Sequence, residues 1–459
     1  MKYMKQYDAI IIGFGKGGKT LAGALAAAGK KVALAERSER MYGGTCINVG
    51  CIPSKSLKTS AEQSKGRGGS FEEKAARYAD AVAERERVTT MLRGKNYHKL
   101  AGQPNIDVLT GTASFTGKNT VKVVSDGGEE ELTAPQIFIN TGSSSRKPQI
   151  EGAENSRYVY FSDGLMQLSE LPRRLVIVGG GYIGMEFASM YANFGSEVTV
   201  VQRGSTFLPR EDEEIAAAVL ERLNQLGVRV LFSAEPKKIE DRDGYAVLSL
   251  DAPEGPAALA AEAILLATGR EANTAGLNLK AAGVETTGRG AVKTDEHLRT
   301  SNPAVYAMGD VVGGRQFTYI SLDDYRIVKS AVLGDGGRTT ENRGAVPYSV
   351  FLDPPFSRVG LTEKEAREQG YEVKIAKLPA AAIPKAQVLK ETAGLLKAVI
   401  DAKTGKILGA HLFCAESHEI INLIKTAMDA GLPYPFLRDM IYTHPTMAES
   451  FNDLFSAVK

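Results

Sequence analysis

Cysteine is scarce in this chain, three residues in 459. That is too few for a structural disulfide framework, and in a reducing compartment it leaves each thiol either redox-active or incidental. Long apolar runs are missing as well. No segment approaches the ~20 uninterrupted apolar residues of a membrane-spanning helix. The opening apolar run, residues 7–12, is too short for a secretion signal and passes straight into a glycine turn. Nor is charge of one sign in excess. The 56 Lys and Arg face 54 Asp and Glu, so nothing calls for nucleic acid or an anionic membrane as partner. These absences predict a cytoplasmic protein with no nucleic-acid and no membrane partner. What remains is an ordinary globular composition, 43% apolar, in a chain long enough for roughly two to four domains.

Two of the cysteines, Cys46 and Cys51, lie in GGTCINVGCIPSK, residues 43–55. Positions five apart in a regular helix are separated by roughly 7.5 Å of rise alone, whereas the Cα atoms of a disulfide stand about 4.4–6.8 Å apart. The backbone between the two must therefore bend if they are to bond. Gly43, Gly44 and Gly50 supply that freedom, and Pro53 removes an N–H where a helix would begin its regular turns. Taken alone, the spacing leaves open a redox pair, two unrelated thiols or half a metal site.

The company it keeps narrows the choice. Residues 7–12 read as a buried strand, GFGKGG as a turn, TLAGALAAAG as a helix and KKVALAE as a second strand. The turn holds Gly13, Gly15 and Gly18 in GxGxxG spacing, and Glu36 follows Gly13 by 23 residues. In this fingerprint the first glycine allows the turn, the second admits a pyrophosphate and the third lets helix and strand pack. The acid takes the ribose hydroxyls. Residues 13–20 also satisfy the GxxxxGK[ST] pattern of a P-loop, which likewise cradles phosphate at a helix N-terminus. The P-loop leaves Glu36, the cysteines and a second copy of the unit unexplained. Lys16 and Lys19 either lie beside the phosphates or are solvated. In the second copy, LVIVGGGYIGMEFASMYANFGSEVTVVQR, Gly179, Gly181 and Gly184 repeat the spacing. Each copy is closed by a similar strand ending, at Thr141-Gly142 and at Thr268-Gly269. Two such units imply two dinucleotides.

Elsewhere, residues 72–100 read as a charged surface helix, residues 65–69 (KGRGG) as a loop, and residues 109–132 as short antiparallel strands. The segment 235–256 repeats that short-strand style. VYAMGD ends a strand at Gly309-Asp310, and residues 321–333 look helical. From about Ala345 the texture changes to α+β, with a helix over 417–430, and the tail reads THPTMAESFNDLF.

With these motifs in this order, the chain resembles the class I pyridine nucleotide–disulfide oxidoreductases, the flavoproteins typified by glutathione reductase, dihydrolipoamide dehydrogenase and mercuric reductase. The resemblance spans essentially the whole length, and GGTCINVGCIPSK is its most specific part. GFGKGGKT, MYGGTCINVGCIPSK, FTYISLDDYRIV, PYSVF with PPFSRVG, and HPTMAESFNDLF make the chain similar to the bacterial reactive-chlorine-resistance flavoproteins. That subgroup is associated with reduction of hypothiocyanous acid and of copper(II). The resemblance implies an α/β chain: an FAD-binding domain over residues 1–150 and 276–344, an NAD(P)H-binding domain over 151–275, both Rossmann-like, and an α+β dimerisation domain over 345–459. It also implies a homodimer.

Residue by residue, it implies that Gly13, Gly15, Gly18 and Glu36 hold the ADP half of FAD and Asp310 the ribityl chain. Gly44, Thr45, Lys55, Thr141, Gly142 and Gly269 also line the cofactors. The second unit, with Gly179, Gly181 and Gly184, binds the nicotinamide nucleotide, and Tyr182 covers its pocket. Cys51 is the thiolate beside the flavin; Cys46, nearer the outside, meets substrate. Lys55 pairs with Glu186. His444, oriented by Glu449, acts as acid and base across the two-fold. By themselves Asp310 is equally a helix cap, Tyr182 an aromatic in a turn, and Lys55 and Glu186 surface charges. Cys414 reads as a buried core thiol.

At the position matching Glu36, the second unit has Gln202, followed by Arg203, with Arg210 nearby. An acid there would repel a 2′-phosphate and an arginine would pair with it, so NADPH is expected over NADH. No N-terminal metal-binding domain and no paired C-terminal cysteines are present, which speaks against mercuric reductase and for no bound metal. The expected substrate is a small oxidant, hypothiocyanous acid, whose electrophilic sulfur Cys46 would attack, with copper(II) as a further acceptor. Glutathione reductase or dihydrolipoamide dehydrogenase activity, and a flavin-based redox sensor, are the alternatives.

Overall fold

A computed structural model describes residues 4–459. The chain divides into two compact units, the first made of residues as far as Ser56, Val82–Arg146 and Gly269–Arg343, the second of Leu57–Ala81, Lys147–Thr268 and Gly344–Lys459.

The first unit is built on five parallel strands in the order Val305–Ala307, Gln136–Ile139, Ala9–Ile12, Val32–Glu36, Ile106–Thr110. AIII and VALAE are buried along their whole length because a parallel sheet is covered on both faces. Successive side chains alternate between those faces. Ala9 and Ile11 pack with Leu21 and Leu25 of helix Lys16–Ala27 and with Ile327 and Val328 of helix Thr318–Leu333. Ile10 and Ile12 face the other way, onto Phe115, Val121 and Leu132 of a four-stranded sheet. The strand beside Ala9–Ile12 on each side leads away in opposite directions, so the crevice beyond Ile12 and Ile139 is the switch point where such sheets bind ligands.

The second unit repeats the plan. Its parallel strands run Val159–Tyr160, Ala263–Leu266, Arg174–Val178, Glu197–Val201, Arg229–Leu231, with one face covered by the antiparallel strands Glu235–Asp241, Ala246–Ala252 and Gly255–Ala261. Its remaining part is a five-stranded antiparallel sheet, Tyr348–Val350, Phe356–Gly360, Ile407–Phe413, Leu395–Asp401, Val373–Pro379. Helices Ser417–Asp429 and Ser450–Ser456 bury Ile420, Ile424, Phe451 and Phe455 against it.

Two local expectations need correction. The segment 65–69 is not a loop throughout: helix Cys51–Arg67 runs through Lys65–Arg67 and breaks only at Gly68 and Gly69, both at positive φ. The basic residues of its last turn suit the negative helix end, Lys65 bonds Asp353 at 2.7 Å, and Arg77 bonds both Ser64 and the Gly68 carbonyl. The first-unit helix also starts earlier than TLAG, at Lys16 inside the glycine turn.

Candidate active site

The two cysteines begin successive helices. Cys46 sits in the short helix Thr45–Asn48; the backbone turns at Val49 and Gly50, and Cys51 opens helix Cys51–Arg67. This is the bend that five-residue spacing requires, and it brings the Cys46 thiol within hydrogen-bonding reach of the Cys51 sulfur. Gly44 shows why the loop needs glycine. Its φ is +81°, and a Cβ there would stand 2.6 Å from the Cα of Gly15. The dithiol loop therefore rests directly on the GxG turn.

Charge at the pair is shared. Donation to Cys51, and then burial, push the Cys46 thiol far above its ordinary range, while Thr318 and Lys19 pull it down. The Thr318 hydroxyl lies 3.6 Å from Cys51 Sγ, at the start of helix Thr318–Leu333, where the helix field favours negative charge. In the single chain Cys51, which opens the longer helix, is exposed and Cys46 is partly buried.

The first glycine turn has the form of a pyrophosphate cradle. A Cβ on Gly13 would meet Asn140 O at 2.3 Å, one on Gly15 the Asn140 side chain at 2.5 Å, and one on Gly18 the Gly13 carbonyl at 2.5 Å. The helix that follows has no acid in its first turn, so its positive end is uncompensated. Glu36, buried at the end of its strand, accepts from Phe14 N at 3.0 Å, and burial raises its carboxyl above the ordinary range. Asp310 lies in the turn Gly309–Val312 and accepts from Ser143 Oγ at 2.7 Å. Thr141 bonds the Asn273 carbonyl at 2.8 Å, a Cβ on Gly142 would lie 3.9 Å from the Thr45 hydroxyl, and Gly269 accepts from Arg146 N. A backbone donor set, a positive helix end and two carboxylates fit the diphosphate and hydroxyls of FAD.

The second turn repeats this geometry. A Cβ on Gly179 would lie 2.4 Å from Ala267 O, and one on Gly184 2.1 Å from Gly179 O, while Gly181 faces open space. Helix Tyr182–Phe194 also starts without an acid in its first turn. Gln202 follows strand Glu197–Val201 and bonds Thr206 O at 2.6 Å. Arg203 is exposed beside it, 3.7 Å from Glu235. Such an exposed pair is worth only about 0–1 kcal/mol and yields readily to a phosphate. Tyr182 donates to the buried Glu211, which also accepts from Tyr348 at 2.7 Å; burial and that carboxylate push the Tyr182 phenol up to about 12. Glu186 lies on the same helix as Tyr182 and accepts from Phe351 N at 2.9 Å. Lys55 lies on helix Cys51–Arg67, one turn beyond Cys51.

His444 and Glu449 come together at 2.8 Å through Nδ1. Glu449 is fixed further by Thr446 N at 3.1 Å, and its bond to His444 holds the carboxyl below the ordinary range. The imidazole is 70% exposed, so with Nδ1 engaged, Nε2 points outward and is available for proton transfer. Cys414 is fully buried, and burial raises its thiol far above the ordinary range.

Two residues of the site escaped the sequence reading, and the surroundings of a third, Lys19, were not foreseen. Asn140 ties the cradle together: it accepts from Gly18 N at 2.8 Å and donates to Met308 O at 2.6 Å. Thr318 reaches Cys51 from far along the chain. Lys19 is half-buried, not solvated, and donates to the Gly43 carbonyl and to Asn96. The unusual FTYISLDDYRIV and GFGKGGKT strings were the only sequence signals for the last two.

The chain is similar to known proteins over nearly its whole length. The family described as pyridine nucleotide-disulphide oxidoreductase matches residues 7–331, and its dimerisation domain matches residues 346–455. The chain is 49% identical over 456 residues to a probable pyridine nucleotide-disulfide oxidoreductase, RclA, of Escherichia coli K12, covering 99% of this chain and 100% of that protein. It is 32% identical over 448 or 449 residues to dihydrolipoyl dehydrogenases, the one from Bacillus subtilis strain 168 covering 96% of this chain and 94% of that protein. Among solved structures, the Cu(II) complex of the HOCl-induced flavoprotein disulfide reductase RclA from Escherichia coli matches with a TM-score of 0.94 at 50% identity, covering 99% of this chain and 100% of that one.

Proposed function

The chain belongs to the pyridine nucleotide-disulphide oxidoreductases, flavoprotein enzymes that use FAD and NAD(P)H, and from that premise we propose that it passes electrons from NADPH to hypothiocyanous acid in oxidative-stress defence. The observation that carries the reading is the Cys46–Cys51 pair, within hydrogen-bonding reach on a loop seated against the first GxG turn.

The Gly13–Gly18 turn, Glu36 and Asp310 would hold FAD, which when bound would supply the two-electron relay from nicotinamide to disulfide. Everything after the pair is reduced belongs to side chains. The Cys46 thiolate attacks the sulfur of hypothiocyanous acid; an S–S bond forms, the S–O bond breaks, and the departing hydroxide takes a proton to become water. His444, its Nδ1 engaged by Glu449, provides that proton from Nε2, acting in a homodimer on the other protomer's pair. Cys51 then attacks the Cys46 sulfur, closing the disulfide and releasing thiocyanate. Overall one dithiol and one hypothiocyanous acid give one disulfide, thiocyanate, water and a proton. Two electrons leave the dithiol and two reach the oxidant's sulfur. The attack needs no large binding surface, which suits a small oxidant.

Arg203 and Gln202 support NADPH: the arginine, loosely paired with Glu235, is available to a 2′-phosphate, and Gln202 carries no repelling charge. Copper(II) is proposed as an alternative electron acceptor, taking its electrons at the same two thiols. Catalytic use of the cysteines fits a cytoplasmic location.

The test is a stopped-flow screen of the NADPH-reduced enzyme against hypothiocyanous acid, oxidised glutathione, lipoamide and copper(II), with Cys46→Ser as control. Fast reoxidation by hypothiocyanous acid that is lost in Cys46→Ser supports the proposal. A clear preference for oxidised glutathione or lipoamide overturns it.

A further inference from the structure

Nucleophilic attack requires the Cys46 thiolate, yet donation to Cys51 and partial burial hold the Cys46 proton above its ordinary range. Something must oppose that. His444 is strongly exposed in the single chain and belongs to the second unit, so within the first unit the cation has to come from elsewhere.

The first helix supplies one. Lys19 does not extend into solvent from the glycine turn. Its Nζ donates to the carbonyl of Gly43 at 3.2 Å and to Asn96 Oδ1 at 2.6 Å. Gly43 opens the dithiol loop three residues before Cys46, and Asn96 is itself fixed, donating to Leu92 O at 2.7 Å. Asn96 also packs on Gly43: a Cβ at Gly43 would lie 3.5 Å from Asn96 Cβ. The ammonium is thus held between the loop and helix Phe71–Ala101, with Cys46 as an electrostatic neighbour. No carboxylate is paired with it among the described contacts. The charged groups that face it are Lys16 on its own helix, Lys99 on the neighbouring one and Cys46. Those facing Cys46 are Cys51, the Thr318 hydroxyl and Lys19.

We propose that Lys19 is a positioning residue for the Cys46 nucleophile: pinned between the Gly43 carbonyl and Asn96, its ammonium supplies the positive charge that favours the attacking thiolate. The proposal rests on the reading of Cys46 as the sulfur that meets the oxidant. Lys19 touches neither oxidant nor cofactor in this scheme; it acts through Cys46 alone. Burial, and then Lys16, draw the pKa of the ammonium down to about 8, while Cys46 acts in the opposite direction, so a thiolate alongside offsets part of the cost of burial. A structural strut between loop and helix would need only the two hydrogen bonds, which a neutral side chain can make.

The experiment uses the holoenzyme reduced with NADPH and follows alkylation of Cys46 by iodoacetamide, read by mass spectrometry, as a function of pH. In Lys19→Met the midpoint rises by about one unit, and alkylation at pH 7 slows about tenfold. Reoxidation by hypothiocyanous acid slows in parallel, while cofactor reduction by NADPH keeps its rate. Lys19→Arg, which retains the charge, restores most of the parent profile. A Lys19→Met profile that coincides with the parent's, with Cys46→Ser abolishing both alkylation and reoxidation, overturns the role of Lys19 and leaves the reading of Cys46 standing. Reoxidation that survives Cys46→Ser instead overturns that reading, and this proposal with it. If Lys19→Met does not retain FAD, Asn96→Leu decides: it keeps the ammonium but removes its anchor, and a midpoint that does not rise contradicts the proposal.

Discussion

Replacing Asn140 with leucine tests how the cofactor cradle is held. The side chain is 5% exposed and bridges two parts of the cradle, accepting from Gly18 N at 2.8 Å and donating to Met308 O at 2.6 Å. Gly18 N–H belongs to the first turn of its helix, where no carbonyl of the same helix is available. Met308 immediately precedes Gly309 and Asp310. Leucine fills nearly the same volume, so little cavity forms, but it leaves one donor and one acceptor buried without these partners. At about 1–3 kcal/mol for each orphaned group the loss is about 2–6 kcal/mol, which corresponds to a fall in Tm of roughly 5–20 °C. Both orphans border the proposed FAD site, so affinity for FAD is expected to fall as well, by at least about tenfold. Asn140→Asp keeps the acceptor for Gly18 but loses the donor to Met308, and is expected to lie between parent and leucine variant. Thermal unfolding of the apoprotein, together with fluorescence titration by FAD, measures both effects. A leucine variant with parental Tm and parental FAD affinity would refute the reasoning.

Arg203→Ala should lower kcat/KM for NADPH by about tenfold and leave NADH unchanged, since only the 2′-phosphate loses a partner; equal losses with both cofactors would contradict the assignment. Glu449→Ala removes the acceptor that orients His444 Nδ1. It should cut oxidant-dependent turnover by about 10²-fold while NADPH still reduces the enzyme at the parental rate in stopped flow. Asp353 gives a pH test. Burial acts to raise its pKa, but Lys65 at 2.7 Å and Asn193 at 2.9 Å outweigh burial and hold the carboxyl below its ordinary range. A depressed carboxylate stabilises the fold above its unfolded pKa, and that stability is lost as pH falls through the folded value. Asp353→Asn should therefore cost about 1–3 kcal/mol at pH 7 and progressively less below about pH 4, measured by urea unfolding.

The parts of the site that announced themselves in the sequence are those written in short-range pattern. Two GxGxxG turns, a CxxxxC loop rich in glycine, and a His and Glu five residues apart each carry their geometry locally, and the repeated unit made the doubly wound sheets legible. The parts that stayed hidden are made by contacts between distant positions. Asn140 meets Gly18 across 122 residues, Cys51 meets Thr318 across 267, and Lys19 meets Asn96 across 77. An asparagine, a threonine or a lysine gives no periodic signal of such a partner. Lys19 also sat in a turn where phosphate contact offered a ready explanation, which concealed its place under the dithiol loop. The KGRGG segment misled for a different reason. Its composition is that of a loop, yet the Lys65–Asp353 pair and the Arg77 bonds to Ser64 and Gly68 hold the last helical turn in place, a tertiary override of weak local propensity.

The central claim is that electrons from the nicotinamide arrive at Cys46 and Cys51. Peptide mapping of the holoenzyme, alkylated under anaerobic conditions before and after one equivalent of NADPH, tests it most directly. The account predicts a Cys46–Cys51 disulfide beforehand and two alkylated cysteines afterwards, with Cys414 protected throughout under native conditions. Both cysteines already alkylated in the oxidised enzyme, or a disulfide that one equivalent of NADPH leaves intact, would contradict it.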